Sequence, residues 1–229
     1  MLDQLWHHRR CALTELAALC EGAAEGAAVA RLRLLAVELE ATEATLEATD
    51  AKNYHAWAHR QWALAALGDV DAWRDELDFA ARLIDEDVRN NSAWSHRALA
   101  SRKAAGSADN AMLPASALAA EAAMVAEALR RAPRAEAAWS YLRGLYAPPR
   151  CGAAASALGD ADCLARSLAE EALRADGANV HALELYCDCL EGAGEASAAA
   201  GGWEALARVD PLRARYYDYR KAQSQAFCS

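Results

Sequence analysis

One tryptophan setting recurs along this chain, and the recurrence limits the fold more than any other feature. Leu5-Trp6-His7-His8-Arg9, Asn53-Tyr54-His55-Ala56-Trp57-Ala58-His59-Arg60 and Asn91-Ser92-Ala93-Trp94-Ser95-His96-Arg97 share Trp-x-His-Arg. Glu136-Ala137-Ala138-Trp139-Ser140-Tyr141-Leu142 is a looser fourth copy. The four tryptophans follow one another at 51, 37 and 45 residues, the range of two-helix solenoid units with variable loops. Hydrophobic residues make up 55 % of the chain, and much of that share is alanine, the best helix former. Runs of β-branched residues are scarce, so the expected class is all-α, a stack of antiparallel helix pairs. The expected organisation is one domain, 1–229. Repeats lie near 1–50, 51–88, 89–132 and 133–176, with weaker helical pairs over 177–229.

The second copy shows how such a unit works. Asn53 suits an N-cap, accepting from the free N–H groups of a first helical turn. Trp57 lies one turn on, and Arg60 follows at i+3 on the same surface. Gly68-Asp69 ends the helix. A return helix over about 71–87 carries an apolar stripe of Trp73, Leu77, Ala80, Ala81 and Ile84. The return helix of the first copy is expected over 32–47. Neither helix can bury its stripe alone, so stacking builds the core, with tryptophan plugging each junction. Trp6, Trp57, Trp94 and Trp139 are therefore expected to be core spacers, and Arg60 and Arg97 to bond to neighbouring turns. Beyond Trp139 the repeat decays. Pro148-Pro149 marks a loop, and helices are expected near 160–174, 179–191 and 203–208, with a last one after Pro211.

The net charge of −9 argues against general nucleic-acid binding, which needs a basic face. No apolar run approaches the roughly 20 residues that span a bilayer, so membrane insertion is not expected. Seven cysteines, irregularly spaced, read as free thiols of a reducing compartment and not as a zinc set. A cytoplasmic location is the expectation.

The stretch from Asn53 to Trp62 resembles the signature repeat of protein prenyltransferase α subunits, as does Glu86-Asp87-Val88-Arg89-Asn90-Asn91-Ser92-Ala93-Trp94. Ala138 to Leu145 continues it in order, and Asp210 to Tyr219 is similar to the family's closing helix. Residues 150–209 match only in helical character. The wording is most similar to the α subunit shared by farnesyltransferase and geranylgeranyltransferase type I. The resemblance implies a right-handed α-α superhelix wrapped around a β subunit, in an obligate heterodimer. It also implies that the chain supports transfer of farnesyl or geranylgeranyl from its diphosphate to a cysteine of a CaaX-protein C-terminus. No cofactor is expected in this chain. Zinc, with magnesium as a further candidate ion, is expected in the complex through the β subunit.

The resemblance also implies site residues. Tyr54 and His55 match positions beside the isoprenoid diphosphate, where each could donate to the departing pyrophosphate. Read without the family, they are a surface pair at a helix start. Gln4 matches a glutamine that contacts the peptide carboxylate; otherwise it is a terminal glutamine. A family lysine that stabilises the diphosphate falls at Met1, while Lys52 holds the equivalent place one repeat later, which is not the family's catalytic position. The family has repeats before this point, so an N-terminally truncated or shortened subunit is expected. A different reading of the same repeat is a helical scaffold that binds peptides or partner proteins without catalysis.

Overall fold

The computed structural model describes residues 2–19, 25–106, 113–146 and 159–226, and these contain no strand. The helices are α1 (Leu2–Leu19), α2 (Glu25–Ala48), α3 (Tyr54–Leu67), α4 (Val70–Glu86), α5 (Asn91–Ala104), α6 (Ala115–Arg131), α7 (Glu136–Tyr146), α8 (Gly159–Ala175), α9 (Val180–Gly192), α10 (Ala196–Val209) and α11 (Ala214–Ala226). A single 3₁₀ turn, Pro211–Arg213, precedes α11. Met1 and Pro148-Pro149 lie outside the described residues. Two helices start earlier than expected. α2 begins at Glu25 and α10 at Ala196, because alanine-rich stretches without an apolar stripe are still strong helix formers.

The chain gathers into two compact units, Met1–Ala111 with α1 to α5 and Met112–Ser229 with α6 to α11. Within the first, contact is most extensive between α2 and α3 and between α4 and α5. The tight hairpin is thus a return helix plus the next tryptophan helix, and not the pair joined by Gly68-Asp69. The reason is the connector. Asp50 to Asn53 and Asp87 to Asn90 are four-residue turns in which the asparagine N–H donates to the aspartate carbonyl at 3.0 and 2.9 Å. The aspartate side chain takes the N–H two residues on, from Lys52 and Arg89. Asn53 and Asn90 then cap the following helices through their Oδ1 atoms. At the other end of α3, Gly68 closes the helix at φ 69°, a left-handed conformation that glycine adopts without strain.

The second unit continues this device past Trp139. Asp176 to Asn179 forms the same turn, with Asn179 capping α9. The repeat therefore does not end where its tryptophan does, since Leu183 stands in the tryptophan place. Trp203, Leu206, Tyr217, Leu190 and Cys187 form a core among α9, α10 and α11. Burial pushes the Cys187 thiol up to about 12, so it behaves as a packed apolar group. Its sulfur fills the space that a side chain at Gly202 would need, while Gly201 faces open space. Gly202→Ala should therefore destabilise the chain by about 1–3 kcal/mol through overpacking. Gly201→Ala should be neutral or stabilising through helix propensity. Thermal melts of the two variants check this; equal melting temperatures would refute the close approach.

Candidate functional site

The tryptophans are buried as spacers. Trp6, Trp57, Trp94 and Trp139 are each 6 % exposed or less. Three of them make the same bond. The indole N–H of Trp57 donates to Ala51 O, that of Trp94 to Val88 O and that of Trp139 to Pro133 O, at 2.8 to 3.0 Å. Each tryptophan thereby ties its helix to the turn before it.

In the second and third copies the Arg and His of the motif are buried too, and His59, Arg60 and His96 serve carboxylates on the return helices. Glu76 on α4 accepts both forks of Arg60 at 2.7 Å and His96 Nε2 at 2.6 Å. Arg60 also reaches Leu39 O and Thr42 Oγ1, and lies 3.8 Å over the Phe79 ring. One repeat earlier, Glu38 on α2 takes both forks of Arg9 and the His59 Nε2. In the second unit Glu121 accepts from Tyr141 OH at 2.6 Å. Arg97 donates to Leu77 O. Each of Glu38 and Glu76 thus joins the arginine of the helix before it to the histidine of the helix after it.

The electrostatics follow from burial against partners. Burial pushes the Glu76 carboxyl up, but the bonds from His96 and Arg60 and the Arg60 charge outweigh it and hold it below the ordinary carboxylate range. Glu38 is held low in the same way by Arg9 and His59. Burial holds the His59 imidazole below its ordinary range despite its bond to Glu38, and the charges of Arg10 and Arg9 act in the same direction. Its Nδ1 is buried without a partner. The other polar atoms of these groups bond to one another and to the neighbouring helices.

The sequence-expected site residues are placed differently. Tyr54 opens α3 and is 75 % exposed; its ring meets the His55 ring edge-on at 5.4 Å. Asn53 Oδ1 accepts from the N–H of His55 and of Ala56 at 3.1 Å, so the pair sits on a capped first turn. This turn is a small lip where a phenol, an imidazole and the positive end of a helix dipole share one exposed edge. Lys52, just before it, pairs with Asp87 of the next turn at 2.9 Å. Gln4 is exposed on the first turn of α1. α1 and α3 are tied further along, where the Trp6 and His59 rings lie 4.9 Å apart and Arg10 donates to Ala58 O. The Met1 position lies outside the described residues. Among the described residues, no group of three or more His, Cys, Asp or Glu is arranged to hold a metal ion, and no helix is long and apolar enough to cross a membrane.

Known proteins share the repeat and the fold. The family model for the protein prenyltransferase alpha subunit repeat matches residues 35–67 and 73–103. Both matches run from a return helix into a tryptophan helix. The chain is 31 % identical over 183 residues to the protein farnesyltransferase/geranylgeranyltransferase type-1 subunit alpha of Arabidopsis thaliana, covering 69 % of this chain and 50 % of that one. It is 34 % identical over 101 residues to the geranylgeranyl transferase type-2 subunit alpha of Rattus norvegicus, covering 44 % of this chain and 16 % of that one. This chain thus spans half or less of the length of either relative. Its fold is similar to that in the solved structure of Candida albicans protein geranylgeranyltransferase-I complexed with GGPP. There the TM-score is 0.69 at 22 % identity, over 97 % of this chain and 67 % of that one.

Proposed function

Since this chain belongs to the protein prenyltransferase alpha subunit repeat family, we propose that it serves as the α subunit of a heterodimeric CaaX protein prenyltransferase. The observation that carries the proposal is the contrast within the motif. Trp57, His59 and Arg60 are buried and each is bonded within the fold, whereas Tyr54 and His55 stand at the surface on a capped turn. An exposed aromatic next to an imidazole is not needed for stacking repeats. It suits an anion that approaches a helix N-terminus.

In this reading the β subunit supplies the isoprenoid pocket and the zinc that holds the substrate thiol. Tyr54 OH and a His55 ring N–H donate to the diphosphate as it leaves and gains charge. Gln4 contacts the carboxylate of the CaaX C-terminus. The transferred group is farnesyl or geranylgeranyl, with the choice resting on the partner. The cytoplasm is the proposed location, in keeping with the free thiols of Cys11, Cys187 and Cys189.

The test is single-turnover isoprenoid transfer by the chain assembled with a prenyltransferase β subunit. Loss of one preorganised donor can cost on the order of a hundredfold in rate. A diphosphate shared with cations of the partner should show less, about tenfold for Tyr54→Phe and for His55→Ala. Assembly should be unchanged. If both variants transfer at full rate, the diphosphate role fails, and the scaffold reading gains.

A further inference from the structure

The lip does not hold itself. Its turn, Asp50 to Asn53, is fastened from the next repeat. The carbonyl of Ala51 accepts the Trp57 indole N–H at 3.0 Å and the Asn90 side-chain Nδ2 at 3.1 Å. Asp87, at the start of the next turn, takes Lys52. The Trp57 ring in turn lies 4.7 Å from the ring of His96 on α5. Apart from the Asp50 N–H bond to Thr45 O at the end of α2, these ties on the turn from beyond α3 come from the segment Asp87 to His96.

Asn90 is the most constrained of these ties. It is 0 % exposed. Its Oδ1 accepts from Ser92 N–H and Ala93 N–H, which fixes which end of the amide points into α5. The Nδ2 must then face Ala51 O. One side chain thus caps one helix and sets the distance to the turn that starts another.

We propose that Asn90 is a positioning residue for Tyr54 and His55, an inference that rests on reading that pair as the diphosphate contact. The chain of contact is short. Asn90 fixes Ala51 O, Ala51 lies two residues before the cap Asn53, and Asn53 fixes the turn that presents Tyr54 and His55. A donor must sit within a few tenths of an ångström of its hydrogen-bonding place to act on developing charge. A small shift of the turn therefore weakens the donors without unfolding the helix.

The second unit contains the same staple with nothing to present. Asn179 Nδ2 donates to Pro133 O at 2.8 Å, the carbonyl that Trp139 also uses, and Arg134 pairs with Asp176 as Lys52 pairs with Asp87. That turn leads into Ala135-Glu136-Ala137, which has no phenol or imidazole. It is a control built into the same chain.

The variants are Asn90→Ser and Asn179→Ser, in the chain assembled with a prenyltransferase β subunit. Serine is as good an N-cap as asparagine but too short to span to the neighbouring turn. Each carbonyl keeps its indole partner, so neither variant leaves it orphaned. Asn90→Ser should slow single-turnover transfer about tenfold, with isoprenoid diphosphate saturating. Asn179→Ser should lower the melting temperature by a similar amount and leave the rate within about twofold. Combined with Tyr54→Phe and His55→Ala, Asn90→Ser should add no further loss, because it acts through those donors. Asn90→Asp, which also keeps the cap but places an oxygen against Ala51 O, should slow transfer at least as much as Asn90→Ser. Equal slowing by Asn90→Ser and Asn179→Ser would overturn the inference, as would a loss that is fully additive with the lip variants. In either case the diphosphate reading stands so long as the lip variants are themselves slow. Full rate in the lip variants would sink that reading, and the positioning role with it.

Discussion

Glu76→Ala should cost the chain about 3–5 kcal/mol of stability, the loss expected when one partner of a buried charge pair is removed. The Glu76 and Arg60 side chains are each only 4 % exposed. Without the carboxylate, the Arg60 guanidinium remains buried over Phe79 with one carbonyl, one hydroxyl and the Glu43 carboxylate at 3.9 Å for partners, and His96 Nε2 loses its acceptor. For a chain of this length the melting temperature should fall by roughly 10 °C. Glu76→Gln keeps the shape and one acceptor, so it should cost less. Acid should remove the same stabilisation. Glu76 is held below the ordinary carboxylate range, so its contribution is present above that range and is lost as pH falls through and below it. A Glu76→Ala chain that melts within a degree or two of the parent, with the same acid sensitivity, would contradict the picture of a shared buried carboxylate.

Trp57→Ala should be as damaging by a different route. The ring is 4 % exposed and packs near Phe79 and His96. Emptying that volume should destabilise the chain by about 3–5 kcal/mol. Its effect on transfer should follow the loss of folded complex, in contrast to Tyr54→Phe and His55→Ala. Trp57→Phe isolates the N–H, because most of the ring stays while the bond to Ala51 O is lost. That change alone should cost about 1 kcal/mol beyond the volume lost. Chemical denaturation of the two variants checks the order. A Trp57→Ala chain as stable as the parent would place the ring outside the core.

Much of this architecture is legible in the residues. Trp-x-His-Arg announces a repeat because a large ring and a fixed cation at helical spacing have to be buried and satisfied somewhere. Asn53 reads as a cap because its side chain reaches the free N–H groups ahead of it. The candidate lip is legible because its residues are contiguous. The partner of the arginine is not. Glu38 and Glu76 sit in return helices rich in carboxylates, where a charged residue is ordinarily taken for the solvated face. The missed signal is a spacing: Glu38 precedes His59 by 21 residues, and Glu76 and Glu121 precede His96 and Tyr141 by 20. The Asp176 to Asn179 turn carries a weaker signal for a similar reason, because the helix it starts has Leu183 in the tryptophan place.

The stapled turns have a consequence for how such a chain can change its length. Asp50 to Asn53, Asp87 to Asn90 and Asp176 to Asn179 are each four residues long, and the first and second, like the last and the turn at Pro133, are held together by an asparagine and an ion pair. An inserted residue there would break a cap, a carbonyl contact and an ion pair at once. The links that leave the tryptophan helices differ in length. One is Gly68-Asp69 alone, whereas α5 and α6 are joined through residues 105–114 and α7 and α8 through residues 147–158. Insertions and deletions should therefore accumulate in only one class of link. This accounts for tryptophans that stand 37 and 45 residues apart in a chain whose Asp-to-Asn turns are all four residues long.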